Sequence, residues 1–232
     1  PPALHAHRRA AAGHAPPPPS PLSPPVTPVT PRHPSTPFRA RAAAVRALLR
    51  GTSDVHNRWM TTPTRSGTVA PFRVVFVCAG NICRSPMADV VFRTLVTRAG
   101  LAGHVASSSA GTEDWHVGER ADPRTLLALE HQGLDGSRHR ARQFTAASFD
   151  QNDLVVALDR ISDQELRACA RHDGDAVKIV LLSSFDAASR GEPDIPDPYY
   201  GDEPMFDAVL GMIERACRAL FRQLEPAVRH SA

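Results

Sequence analysis

Three short runs of apolar, mostly β-branched residues restrict the fold of this chain more than any other feature. They span residues 73–78, 153–158 and 177–182, and none alternates regularly between apolar and polar residues. Runs of this kind are typical of strands covered on both faces, as in a parallel sheet. Residues 104–110 are a weaker fourth candidate.

Stretches of helical length lie between these runs. Asp122 and Pro123 can cap and begin a helix that Gly133 ends. A longer helix is predicted to begin at residues 202–204 and to end before Pro226. Its apolar residues recur every three or four positions and form one buried face: Phe206, Val209, Leu210, Ile213, Cys217, Leu220 and Leu224.

The alternation of strands and helices predicts an α/β fold with right-handed crossover connections. We expect residues 71–232 to form a single doubly wound domain, in which helices flank a four-stranded parallel sheet. A segment of this length can bury a proper hydrophobic core.

Residues 1–70 have a different composition. They hold 14 of the chain's 22 prolines, 13 of them in residues 1–37, together with nine arginines and a single acidic residue, Asp54. Such a segment cannot bury enough apolar surface to offset its ordering entropy, so we predict a disordered Pro-, Ala- and Arg-rich tail. Two interpretations are open: a start codon assigned too early, with Met60 as the true start, or a genuine tail that binds a partner.

The charge and the cysteines exclude several classes of protein. The net charge of +3 combines the basic tail with an acidic remainder, so it does not indicate nucleic-acid binding. No apolar run approaches the roughly 18 residues of a membrane span. The spacing of Cys78, Cys83, Cys169 and Cys217 fits neither a disulfide framework nor a zinc site, and the last two lie on helical patterns that predict core positions. We expect a cytoplasmic location; secretion by a route without a signal peptide is the alternative.

The segment that carries chemistry is Cys-Ala-Gly-Asn-Ile-Cys-Arg-Ser-Pro-Met, residues 78–87. It follows the first predicted strand, and Ser85 and Pro86 can cap and begin a helix. Anions bind at such a junction between a strand's carboxyl end and a helix N-terminus. The loop can curl its N–H groups around a tetrahedral oxyanion, because Gly80 and Asn81 tolerate left-handed backbone.

The residue types in this loop favour nucleophilic chemistry on a phosphate ester. Arg84 offers a planar fork to two phosphoryl oxygens, and the same positive surroundings stabilise a Cys78 thiolate. The Ser85 hydroxyl can donate to that sulfur when it leaves. The remaining candidate phosphate ligands are the loop residues Ala79, Gly80, Asn81, Ile82 and Cys83.

This segment resembles the signature of the low-molecular-weight protein tyrosine phosphatases of bacterial type. Further family motifs follow in order at residues 109–112, 115–116, 139–142, 157–159 and 197–201. The resemblance covers about residues 72–226. It implies a flavodoxin-like, or Rossmann-like, sheet and hydrolysis of phosphotyrosine through a cysteinyl-phosphate intermediate, with no metal and no cofactor.

The resemblance also implies roles for residues outside the loop. Asp197 would protonate the tyrosyl oxygen and then act as base for the attacking water. Tyr199 and Tyr200, the only tyrosines, would line a slot for a flat phenyl ring, with Trp115 and His116 on another wall.

Supporting roles follow from the same resemblance. His139 and Asp159 would brace the loop through hydrogen bonds, and Ser109 would support it through Asn81. Cys83 has two open interpretations: a reversible disulfide with Cys78, or a small apolar residue packed beneath the loop.

Three other functions compete with this interpretation. A protein-arginine phosphatase of the same family is one, although Ile82 favours phosphotyrosine. A thioredoxin-coupled arsenate reductase would need two neighbouring cysteines, whereas Cys169 and Cys217 are far apart in sequence. A phosphate-binding protein without activity would lack a catalytic residue, and none is lost. The expected partners are phosphotyrosine proteins, among them a cognate tyrosine kinase.

Overall fold

The structure, a computed structural model, describes residues 71–189 and 194–229. The predicted tail, residues 1–70, lies outside the described residues. The described part contains a parallel sheet with the strand order β2-β1-β3-β4. Its strands are β1 (Phe72–Cys78), β2 (Val105–Gly111), β3 (Leu154–Ala157) and β4 (Ile179–Leu181). The predicted four-stranded parallel sheet is confirmed.

Helices flank this sheet on both faces. They are α1 (Arg84–Arg98), α2 (Pro123–His131), α3 (Arg160–Cys169), the single turn α4 (Asp173–Ala176) and α5 (Glu203–Arg229). Short 3-10 turns occur at Ala146–Gln151, Leu182–Phe185 and Ala187–Ser189. Helices α1 and α5 pack together against one face, and α3 covers β3 and β4 on the other.

Strand β1 explains why the apolar runs do not alternate. Val74 and Phe76 belong to a core cluster shared with α1 and α5, whereas Val75 and Val77 belong to a second cluster on the opposite face. All four side chains are fully buried. A strand with a core on each face must be apolar at every position.

Local capping confirms the predicted start of α2. The Asp122 carboxylate accepts a hydrogen bond from the Arg124 N–H at 2.8 Å, and Pro123 occupies the first helical position. Gly133 follows the helix with a φ of 67°, a left-handed value that glycine adopts without strain.

Two predictions about helix ends were wrong. Helix α5 continues through Pro226 to Arg229, because Val228 is buried in the first core cluster and Arg229 pairs with Glu225 at 2.8 Å. These contacts offset the hydrogen bond that a proline removes. Ser85 does not cap α1, which begins at Arg84 without a side-chain cap, since the Ser85 hydroxyl is engaged with Cys78.

The crevice at the carboxyl ends of the strands follows from this strand order. From β1 the chain passes to β2 on one side and later to β3 on the other. The connections therefore diverge at the end of β1, where open α/β sheets bind ligands. Cys78 is the last residue of β1.

Candidate active site

Residues 79–83 form a loop; three of its carbonyl oxygens, and that of Cys78 before it, accept hydrogen bonds from groups outside the loop. The pairs are Cys78 O with Thr112 N (2.9 Å), Ala79 O with Glu113 N (3.1 Å), Asn81 O with His139 Nε2 (2.7 Å) and Ile82 O with Asp122 N (2.9 Å). No N–H group of residues 79–83 donates to another group in the part of the chain that the structure describes. The loop therefore turns its carbonyls outward and keeps its donors for a ligand.

Asn81 fixes the bend of this loop. Its φ is 57°, the one positive value at a non-glycine residue among those described. Its side-chain oxygen accepts from the Arg142 N–H at 2.9 Å, and its Nδ2 donates to Ser85 Oγ at 2.8 Å. An asparagine combines tolerance of left-handed backbone with the donor and acceptor that this position uses.

The Cys78 sulfur lies at the base of the loop, 3.0 Å from Ser85 Oγ. The Cys78 residue is 3% exposed. Ser85 Oγ also lies 3.2 Å from the Ala110 carbonyl, but it has only one proton to donate. Asn81 donates to this oxygen, so the one Ser85 proton goes either to the Ala110 carbonyl or to a thiolate at Cys78.

Arg84 is a buried cation between two carboxylates. Its Nη1 donates to Asp159 and to the Ile195 carbonyl (3.1 Å), and its Nη2 pairs with Asp197 at 2.5 Å. Burial opposes its charge, but the negative charges of Cys78, Asp197 and Asp159 outweigh burial and raise the pKa of Arg84. Its Nε is buried and has no hydrogen-bond partner among the described residues.

Asp197 borders the loop from the other side of the crevice. Its side chain is 47% exposed, and its second carboxylate oxygen accepts from the Tyr199 N–H at 3.2 Å. The carboxylate thus lies between solvent and the anion-binding loop, where a proton donor for a bound phosphate ester would be required.

Aromatic rings surround the mouth of the site. The rings of His116 and Tyr199 are 6.4 Å apart, and Tyr199 and Tyr200 contact each other edge to face at 5.0 Å. A Cβ at Gly80 would lie 2.9 Å from His116 Cδ2, so the imidazole rests on the loop itself. Trp115 and Tyr200 are 68% and 96% exposed, so neither ring is committed to the core; that Trp115 lines the site stays a prediction.

Two of the predicted supporting residues contact the loop or its arginine directly. His139 donates to the Asn81 carbonyl, and burial lowers the pKa of His139, so the ring is neutral at pH 7. Asp159 accepts from Arg84 and also caps α3 by accepting from the Ser162 N–H at 2.7 Å.

Ser109 is connected to Asn81 indirectly. Its carbonyl accepts from Arg142 Nε at 2.7 Å, and the Arg142 N–H in turn donates to the Asn81 side chain. No hydrogen bond joins the Ser109 hydroxyl to Asn81 within the described residues. The support predicted for Ser109 runs through Arg142, which sequence reasoning did not single out.

Similarity to known proteins agrees with this geometry. Residues 73–230 match the family model described as low molecular weight phosphotyrosine protein phosphatase. A low molecular weight protein-tyrosine-phosphatase from Streptomyces coelicolor is 48% identical over 162 residues, which are 69% of this chain and 98% of that protein. The chain belongs to this family.

Two further family members extend the similarity. The low molecular weight phosphotyrosine protein phosphatase of Sus scrofa is 38% identical over 152 residues, 65% of this chain and 94% of that protein. A crystal structure of a protein tyrosine phosphatase from Entamoeba histolytica superposes with a TM-score of 0.64 at 31% identity, and the match covers 67% of this chain and 98% of that one.

The other three cysteines, Cys83, Cys169 and Cys217, are free thiols that are buried to different extents. Burial, together with the negative charge of Asp122, raises the pKa of Cys83 to about 12, and this thiol lies in the first core cluster. Its disulfide with Cys78 stays a prediction. Cys217 is fully buried as predicted, whereas Cys169 is partly buried and packs against the second cluster.

Neither a metal centre nor a membrane span is found where the structure gives positions. No group of three or more His, Cys, Asp or Glu side chains is placed to hold a metal ion among residues 71–189 and 194–229. No described helix has the length and apolarity needed to cross a membrane. That the reaction needs no metal or cofactor stays a prediction from the resemblance.

Proposed function

We propose that this site hydrolyses phosphotyrosine in proteins, with Cys78 as nucleophile, Arg84 as phosphate ligand and Asp197 as general acid and base. One observation carries the proposal: the N–H groups of residues 79–83, in the loop that directly follows Cys78, are unpaired among the described residues, and so is Nε of Arg84, whose charge interacts with Cys78. Together they provide donors for the equatorial oxygens of a phosphoryl group in line with the sulfur.

In the first step the Cys78 thiolate attacks phosphorus. The S–P bond forms as the bond from phosphorus to the tyrosyl oxygen breaks, and Asp197 gives its proton to that oxygen. Tyrosine leaves and a cysteinyl phosphate remains. The loop donors and Arg84 stabilise the charge on the equatorial oxygens throughout.

In the second step water releases the phosphate. The Asp197 carboxylate takes a proton from the water as its oxygen attacks phosphorus, and the S–P bond breaks. The sulfur leaves as a thiolate, which the Ser85 hydroxyl, 3.0 Å away, stabilises by donating its proton in a hydrogen bond. Both groups then return to their starting states.

The ion pair between Arg84 and Asp197 links substrate binding to acid catalysis. Arg84 Nη2 pairs with Asp197 at 2.5 Å. A phosphate ester would bring oxygens that compete for the same donor, so Arg84 would contact both the phosphoryl group and the proton donor.

The aromatic rings around the mouth favour an aryl phosphate. His116 and Tyr199 lie at the mouth with ring centres 6.4 Å apart and offer ring faces on which a phenyl group could stack. The relatives from Streptomyces coelicolor and Sus scrofa are named as phosphatases acting on tyrosine. The arsenate reductase alternative gains no support, because Cys169 and Cys217 lie with core clusters on opposite faces of the sheet.

The proposal includes the broader assignments made from the sequence. We assign the phosphatase domain to residues 71–232 and the tail to residues 1–70, with a cytoplasmic location. The partners would be phosphotyrosine proteins, including a cognate tyrosine kinase, and a protein that binds the tail.

The experiment that tests this function measures phosphate release without added metal. The substrates are a phosphotyrosine peptide and a phosphoarginine protein, from about pH 5 to pH 8, with Cys78→Ser and Asp197→Asn beside the intact protein. We expect turnover of the phosphotyrosine peptide, its loss in Cys78→Ser and slowing of about 10²–10⁴-fold in Asp197→Asn. If the reduced protein turned over neither substrate, the proposal would be overturned. If it preferred the phosphoarginine protein, phosphoarginine would take the place of phosphotyrosine as the proposed substrate.

A further inference from the structure

Arg124, in the first turn of α2, joins two parts of the site that are far apart in sequence. Its Nη1 donates to the Gly201 carbonyl at 2.8 Å, and its Nη2 donates to the Tyr199 carbonyl at 3.0 Å. These carbonyls belong to the segment that directly follows Asp197. The guanidinium also lies over the buried Phe206 ring, 4.5 Å from its centre, at the start of α5.

The other end of this connection reaches the phosphate-binding loop. Asp122 donates its backbone N–H to the Ile82 carbonyl at 2.9 Å. Its carboxylate holds the Arg124 fork through Nε at 3.0 Å and Nη2 at 2.8 Å. The hydrogen bonds from Arg124 lower the pKa of Asp122, so the carboxylate is ionised and the pair is charge-assisted.

The segment held by Arg124 in turn holds Asp197. Gly201 N–H donates to the Pro198 carbonyl at 2.7 Å and closes a turn, while the Tyr199 N–H donates to the Asp197 carboxylate at 3.2 Å. A displacement of this turn would therefore move the Asp197 carboxylate relative to the Cys78 sulfur.

We propose that Arg124, held by Asp122, is a positioning residue that sets the place of Asp197 against the phosphate-binding loop. This inference rests on the proposed function, because it needs Asp197 as the proton donor. Four of the five N–H donors of Arg124 are used: two on Asp122 and one each on Tyr199 and Gly201. Only the planar guanidinium group of an arginine can make these four hydrogen bonds together, so lysine is not an equivalent replacement.

The test uses the dependence of kcat/KM on the leaving group. Hydrolysis of p-nitrophenyl phosphate needs little help from an acid because its leaving group is weakly basic, whereas phenyl phosphate and phosphotyrosine need a proton. We expect Arg124→Met to lower kcat/KM for phenyl phosphate by about 10²-fold, the effect of a misplacement of about 1 Å. The loss for p-nitrophenyl phosphate should be much smaller, and the inhibition constant of inorganic phosphate should change by less than the roughly fivefold set by the Asp197 ion pair.

Two further variants keep the proposal falsifiable if Arg124→Met fails to fold. Arg124→Lys retains a cation but not the fork, and we expect it to show the same dependence on leaving group. Asp122→Asn retains a good helix cap and the bond to Ile82, and should show a weaker change in the same direction. The matched control is Arg167→Met, which removes an ion pair with Asp163 on α3 and should leave both esters unaffected.

The outcomes separate this inference from the function on which it rests. An equal loss for both esters, full activity in Arg124→Lys, or no loss in Arg124→Met would overturn the positioning role while leaving the phosphatase intact. No turnover of any ester by the unaltered protein would instead overturn the proposed function. A selective loss with phenyl phosphate would support both.

Discussion

Arg84 Nη2 lies 2.5 Å from a carboxylate oxygen of Asp197, a residue 113 positions later in the chain. The residues proposed as proton donor and phosphate ligand thus form an ion pair. Three of the five N–H donors of Arg84 are used among the described residues, so a bound phosphate would share the guanidinium with Asp197 and compete with it for positive charge.

Removing the charge of Asp197 should therefore strengthen the binding of inorganic phosphate. We expect Asp197→Asn to lower the inhibition constant of phosphate by up to about fivefold, since an ion pair this exposed contributes at most about 1 kcal/mol. The measurement is competitive inhibition of residual p-nitrophenyl phosphate hydrolysis. Asp194→Asn is the control, because Asp194 pairs with Arg160 and makes no hydrogen bond to Arg84. Weaker phosphate binding in Asp197→Asn would contradict this competition.

The backbone of Asn81 gives a second prediction. Asn81→Gly and Asn81→Ala both lose the bonds to Arg142 and Ser85, but only alanine strains the left-handed backbone at φ 57°. We expect the free energy of unfolding of Asn81→Ala to be lower than that of Asn81→Gly by about 1–2 kcal/mol. Urea unfolding of the two variants measures this difference, and equal stabilities would show that the loop relaxes to another conformation.

The neutral His139 ring gives a prediction about pH. Burial lowers its pKa from the ordinary 6.5, so the unfolded chain takes up a proton at this site more readily than the folded protein. The stability that the neutral ring contributes is present above about pH 6.5 and is lost as the pH falls through the lowered value.

The variant His139→Asn lacks this titration. We expect the difference in free energy of unfolding between the native protein and His139→Asn to shrink from about pH 7.5 to pH 5. Urea unfolding at several pH values checks this, with Asn81→Gly as a variant that keeps the titrating ring. A difference that does not vary with pH would rule out His139 as the source.

Much of the fold was predictable because its determinants are local. The apolar run at 73–78 is buried on both faces of the sheet, and the Asp122–Pro123 cap and Gly133 define α2 without help from distant residues. The predicted helix end at Pro226 was wrong because the burial of Val228 outweighs the helix hydrogen bond that a proline removes. That burial depends on residues distant in the sequence, so the residues around Pro226 do not reveal it.

The site was predictable only in part for a related reason. The residues in the loop share one short segment, so their chemistry is visible in the sequence. Arg124 and Arg142 act on backbone carbonyls 75 and 33 residues away, at Tyr199 and Ser109. Every residue has a backbone carbonyl, so a hydrogen bond to one leaves no recognisable pattern in the sequence. The position of Arg124, two residues after the capping Asp122, was the one sequence feature that could have indicated its role.

The covalent intermediate on Cys78 tests the central claim most directly. Rapid acid quenching of the reaction with p-nitrophenyl phosphate, followed by mass spectrometry of peptides, locates any trapped phosphate, with Cys78→Ser as the control. We predict phosphate on the Cys78 sulfur in the native protein and none in Cys78→Ser. Phosphate on another residue, or full turnover by Cys78→Ser, would contradict the account.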